Sequence, residues 1–228
     1  MTSNTDDAPL CLPSTEIKMI TDDEADIKLA EAERILNYTF TNKAHGIEAL
    51  LIAPGVPFNT LVRLESGDSV YRIETNAALA KIGDKALDLI LLRLFEPTCM
   101  CKGFFDNNIR QKLATNHNLH CIGTKLGLNE CLSKHPPDAI YGKAVADAVE
   151  ALIGAIVLET GIDDAERAVF TMGIVADDMI AEGKLCDIDT PSPTLSRNAK
   201  YFKNMINSQK SDLIRLIGEF RVRRATTG

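Results

Sequence analysis

Two stretches of this chain have the period of buried helices, and both carry carboxylates where a core would place carbon. In the first, Leu79, Ile82, Ala86, Leu87, Ile90, Leu91 and Leu94 recur at helical spacing between Asn76 and Pro97,. Asp84 and Asp88 stand inside that run, one turn apart. In the second, a helix expected over 138–158, Val145, Val149, Leu152, Ile153, Ile156 and Val157 surround Asp147 and Glu150. A spacing of three makes the latter two neighbours on one helix face, about 5–6 Å apart at Cβ. Charge in a low-dielectric interior is costly, and like charges add to that cost. Protonation, a basic partner or a bound cation would relieve it. An all-oxygen donor set suits Mg²⁺ or Mn²⁺ better than zinc. Such ions polarise phosphates and activate water. The structural alternative is that these acids cap turns, face solvent, or pair with Lys81, Lys85 and Lys143,.

The remaining segments fit around these two helices. Asp22 or Asp23 is expected to cap a helix over about 24–37, and Thr41-Asn42 a second one that Pro54-Gly55 stops,. Leu61 to Leu64 and Val70 to Ile73 flank Ser66-Gly67-Asp68, a hairpin signal over about 60–74,. Two shorter helices suit 104–134, with a break near Gly127. Gly161 is expected to end the second acid-bearing helix and Asp163 to cap another over about 163–182, and a last one is expected over about 208–222. The fold class is all-α with one small inserted β-hairpin. The expected organisation is a flexible tail over 1–21, a helical domain over 22–183, and a linker with a basic helix or tail over 184–228. Aromatic residues make up 5% of the chain and Trp is absent, so the core must be mainly aliphatic.

Nothing in the sequence reaches the roughly 18 consecutive apolar residues of a membrane span. The start, Met1 to Asp7, lacks the features of a secretory signal or an Arg-rich presequence,. The expectation is an intracellular protein of cytoplasm or nucleus, neither secreted nor mitochondrial. The six cysteines form no CxxC pair, which fits free thiols and neither a disulfide framework nor a zinc ribbon,. His117, His120 and Cys121 lack the second ligand pair of a zinc site. The net charge of -7 by itself argues against a nucleic-acid binder,. Its distribution does not: after Ser196, Arg197, Lys200, Lys203, Lys210, Arg215, Arg221, Arg223 and Arg224 face only Asp212 and Glu219. A basic segment of this kind can hold phosphates without sequence preference; the bland alternative is a solvated or packing helix.

Residues 76–88, Asn-Ala-Ala-Leu-Ala-Lys-Ile-Gly-Asp-Lys-Ala-Leu-Asp, resemble the NERLEFLGDAVLD motif of the ribonuclease III domain. Ala146 to Ile156 resembles that family's ADxFEALIGAI motif. Leu36-Asn37-Tyr38-Thr39-Phe40 is similar to its LGYTF entry, Ile109-Arg110 through Asn116 to its LR…LVN segment, and Leu126-Gly127-Leu128 to its LGL. The motifs run in family order over about residues 24–183. The resemblance implies an all-helical, usually homodimeric endonuclease domain that cleaves double-stranded RNA with Mg²⁺ (or Mn²⁺), leaving 5′-phosphate and 3′-hydroxyl ends.

Carried over by motif position, Asp84, Asp147 and Glu150 match three of the family's four catalytic, metal-holding acids. The fourth position is Ala80, and Ala77 and Lys81 replace two further motif residues. Loss of one carboxylate should weaken a metal site without abolishing it, since Mg²⁺ commonly keeps several waters. Short fungal ribonuclease III-like proteins are similar in carrying Ala there and a hairpin before the helix. Glu65 and Glu74 are the hairpin acids in a position to substitute, although ten residues of helix would hold Glu74 about 15 Å from Asp84. The stretch after Ser196 is expected to be too short for the family's usual RNA-binding domain. The RNA contacts expected here are Arg110, Lys112, Arg221, Arg223 and Arg224. The alternative to an endoribonuclease is a catalytically silent member of the same fold that binds RNA or packs in a ribonucleoprotein.

Overall fold

The computed structural model describes residues 18–54, 56, 60–95, 103, 105–135, 142–176 and 194–227. Helices dominate, with two small sheets set among them.

The first strand, β1 (Lys18–Thr21), lies where the sequence suggested the end of a loose tail. It pairs in parallel with a strand 44 residues on, Lys18 opposite Val62 and Thr21 opposite Glu65, and buries Ile20. Helix α1 (Ala25–Leu36) buries Leu29, Ala32 and Leu36. Asp22 serves its start by accepting the Glu24 N–H at 3.1 Å, while Asn37, at φ 49°, closes its end,. Helix α2 (Lys43–Leu50) is capped by the Asn42 side chain, which accepts the Ala44 N–H,. It does not run on to Pro54: β2 (Leu51–Ile52) takes over and pairs in parallel with β5 (Ser133–Lys134).

The expected hairpin is present as β3 (Val62–Ser66) and β4 (Ser69–Ile73), turning at Gly67 with φ +53°. Joined by β1 it forms a three-stranded sheet in the order β1-β3-β4. Val62, Leu64 and Ile73 point into the core.

Helix α3 (Ala77–Phe95) spans the first acid-bearing run. A π-helical stretch (Phe105–Arg110) leads through a single α-turn (Gln111–Leu113) to α4 (Asn116–Leu126). Thr115 caps α4, and Gly127 stops it at φ +86°. Helix α5 (Ala144–Glu159) is buried nearly all round and carries the second acid pair. Helix α6 (Ile162–Thr171) begins at Gly161 rather than at an Asp163 cap and ends well before 182. Helix α7 (Thr194–Thr227) is much longer than 208–222 and packs along α3, burying Leu213 and Phe220. The expected linker up to residue 193 and the tail before Lys18 lie outside the described residues.

The centre of the molecule is the α3–α5 crossing. A Cβ on Gly83 would be driven into the Glu150 carbonyl, and one on Gly154 into the Leu79 carbonyl. The two backbones therefore touch where any larger residue would hold them apart.

Candidate active site

The glycine crossing decides where the acids lie. Asp84 follows Gly83, and Gly83 abuts Glu150, so acids 66 residues apart in sequence share one neighbourhood. Burial, the largest influence, and then the negative charges of Asp84 and Asp147 push the Glu150 carboxyl up to about 7. The Asp147 carboxyl is also raised by burial, against the pull of Lys143, whose Nζ lies 3.6 Å from Oδ1. Asp84 is 42% exposed at its side chain and pairs with Lys85 at 3.1 Å. Ala80, one turn before Asp84, presents a buried methyl group.

Asp88 has a different role. It is 3% exposed and grips the Arg110 guanidinium through two hydrogen bonds of 2.8 and 3.1 Å, with Lys85 3.5 Å away. This bidentate pair ties the π-helical stretch to α3. The basic partner that the acids require is therefore found at Asp88, and more loosely at Asp84 and Asp147.

The donor chemistry of Asp84, Asp147 and Glu150 fits a hard divalent ion: all are oxygen ligands, and their charges repel one another. Their closeness is less complete. Among the described residues no three His, Cys, Asp or Glu side chains are gathered into a group that would hold a metal. Lys85 and Lys143 occupy Asp84 and Asp147, and Ala80 supplies no ligand. The hairpin acids are engaged elsewhere: Glu65 pairs with Arg63 at 2.9 Å, and Glu74 lies buried near Arg223. His117 and Cys121 approach to 3.8 Å on the exposed face of α4.

The expected RNA contacts divide. Lys112 and Arg221 are exposed. Arg110 is half exposed, with its charge held by Asp88. Arg223 and Arg224 turn inward: Arg224 pairs with Glu48, which has no exposed surface, and donates to the Arg72 carbonyl at 3.4 Å. Arg223 comes within 4.0 Å of Glu74. Both guanidinium groups lie over the Phe220 ring, at 5.8 and 5.3 Å from its centroid,. Burial brings the Arg224 pKa down to about 10 and raises that of Glu74. Glu48 escaped sequence reasoning, although an acid inside Ile47-Glu48-Ala49-Leu50 is the same signal that marked Asp88.

No family model matches the chain. Over 98 residues it is 33% identical to the Ribonuclease 3 of Chlorobium chlorochromatii (strain CaD3), a match covering 40% of this chain and 40% of that relative's length. A solved structure, the nuclease domain of ribonuclease III from Campylobacter jejuni, aligns with a TM-score of 0.45 and 23% identity, over 63% of this chain and 91% of its own. The resemblance to the ribonuclease III domain family that the acidic motifs carry is thus met again in the chain's curated relative.

Proposed function

We propose that this chain is a ribonuclease III-type endoribonuclease, a hydrolase that cuts double-stranded RNA and works as a homodimer. The supporting observation is the α3–α5 crossing, which buries Glu150 in the neighbourhood of Asp84 and Asp147, so that burial first and then the two charges lift its carboxyl to about 7. Carboxyls perturbed by burial and by neighbouring charge cluster at functional sites.

Asp84, Asp147 and Glu150 would hold Mg²⁺ or Mn²⁺, and the ion when bound supplies charge for the phosphate and a more acidic water. The chain's own residues set the conditions. Lys85 and Lys143 neutralise Asp84 and Asp147 in its absence. Glu150 keeps or releases a proton near neutral pH, so ligand charge grows as pH rises through 7. The exposed Lys112 and Arg221 are free to approach phosphates,.

A second reading, a catalytically silent RNA-binding or ribonucleoprotein component, is favoured by Ala80 and by the two lysines on the acids. One assay separates the two. The purified chain is incubated with a long RNA duplex and Mg²⁺ or Mn²⁺, beside Asp84→Asn and Glu150→Gln. The enzyme predicts cuts leaving 5′-phosphate ends, lost in both variants. Duplex binding without cleavage in either metal would sink it.

A further inference from the structure

The hairpin supplies no residue to the candidate site, yet one face of its sheet is open. The register sets the outward side chains in two rows: Met19, Arg63 and Arg72 in one, Thr21, Glu65 and Val70 in the other. All but the half-buried Glu65 are exposed. The opposite face carries Val62, Leu64 and Ile73 into the core, as the period of two along a strand requires,.

Arg63 and Arg72 are direct register partners on antiparallel strands. Like charges opposite each other on one face of a sheet repel. Glu65 relieves only the first: its Oε1 accepts from Arg63 Nε at 3.0 Å and lies 2.9 Å from Nη2. That leaves the Nη1 donors of Arg63 open. The Arg72 guanidinium has no ion-pair partner among the described residues. The arginine row is the farther of the two from the turn at Gly67, and hence from exposed Asp68. The basic end of α7 meets the hairpin at the same place, since Arg224 donates to the Arg72 carbonyl at 3.4 Å. Exposed Arg221 stands one turn back along that helix.

The chemistry of the partner follows from this arrangement. Guanidinium groups stay charged at any physiological pH, and their planar forks match phosphate oxygens. Two of them on adjacent strands, about 5 Å apart at Cα, suit a repeating phosphate chain. A small anion is better held in an enclosing pocket, which an open sheet face does not offer. Duplex RNA is met mostly through its shape, its phosphates and the 2′-hydroxyls of a wide, shallow minor groove. Met19 and Val70, 60% and 53% exposed, place apolar surface beside the arginines where ribose can rest.

We propose that the outer face of the β1–β3–β4 sheet is a backbone-binding surface for duplex RNA, with Arg63 and Arg72 on its phosphates. The surface stands on elements other than the two helices that carry the acids, and it holds the duplex without reading its sequence. The inference rests on the proposed reading that this chain acts on RNA duplexes.

The test measures binding of the full chain to a long RNA duplex in EDTA, by fluorescence anisotropy over a series of salt concentrations. Arg72→Gln should weaken binding about fivefold and lower the slope of log affinity against log salt by about 1; adding Arg63→Gln should lower it by about 2 in all. Arg72→Glu should bind more weakly still, yet melt at or above the parent, because opposite charges then face each other across the strands. A purely structural pair would not combine lost affinity with undiminished stability. Arg34→Glu makes the same charge change on an exposed side chain of α1 and should leave affinity within about twofold,. The surface is overturned by a chain that does not bind the duplex in EDTA, by equal effects of Arg72→Glu and Arg34→Glu, or by phosphatidylserine vesicles that bind as tightly as the duplex. Cleavage is scored separately, on the same duplex with Mg²⁺. Duplex binding that Arg72→Glu weakens, without any cleavage, overturns the nuclease reading alone. Cleavage with affinity unchanged in Arg72→Glu overturns the surface alone.

Discussion

Glu150 is the residue on which pH should act most visibly. Its folded pKa of about 7 lies above the ordinary 4.5, so the native state holds a proton that the unfolded chain releases,. This group's contribution to stability is complete below about 4.5 and is lost as pH rises through 7. Thermal melts of the metal-free chain should therefore fall in midpoint between pH 5 and 8. Glu150→Gln should flatten that slope and melt above the parent at pH 8; an equally steep slope in the variant would place the titration elsewhere. Arg224 offers a contrast with Arg221, three residues earlier. Arg224→Met strands the buried Glu48 and should cost about 3 kcal/mol in urea unfolding, whereas Arg221→Met, on an exposed side chain, should stay within about 0.5 kcal/mol,. Equal effects would mean that the Glu48 pair carries no weight.

At the scale of elements, the α3–α5 pair is the part most sensitive to added volume. Gly83→Ala must push a methyl into the Glu150 carbonyl with no side chain able to yield. We expect a loss of about 3 kcal/mol or more in denaturant unfolding, and a change at the acids even where the variant folds. Ala at exposed Gly218, which has nothing near its Cβ position, should be neutral or slightly stabilising,. These two helices were legible because their period is unambiguous: Leu79, Ile82, Ala86 and Ile90 fall on one face, and the same holds for Val145, Val149 and Ile153. The hairpin was legible through Gly67. The strands β1, β2 and β5 were not, because two to four residues pairing in parallel with a distant partner carry no local period,. At the candidate site, residue types marked the acids and the alanine at position 80 where the resembled motif has an acid. The Asp88–Arg110 clasp and the inward turn of Arg223 and Arg224 depend on which faces meet, which composition does not encode.

For the whole molecule, ion pairing leaves the formal charge at -7 but withdraws arginines from what a phosphate backbone would meet. Arg110, Arg223 and Arg224 act as internal counter-ions to Asp88, Glu74 and Glu48. The basic end of α7 is thus partly structural, and its removal tests folding before it tests RNA. Deleting residues 194–228 should uncover the α3 surface beneath Leu213 and Phe220 and leave Glu48 unpaired, lowering the melting midpoint by several degrees,. An unchanged midpoint would show α7 to be an appendage. Charge reversal at the exposed Lys112 and Arg221 is the cleaner probe of RNA affinity and its salt dependence,.

The contact of Gly83 with Glu150 and of Gly154 with Leu79 also works as a ruler. The spacing between the acids of one helix and those of the other is set by main chain on main chain, with no side chain as a spacer. Individual side chains can therefore differ from the resembled motif, as at Ala77 and Ala80, while the remaining acids keep their mutual distance. Drift in this site should show as changes in the number of carboxylates long before it shows as changes in their placement.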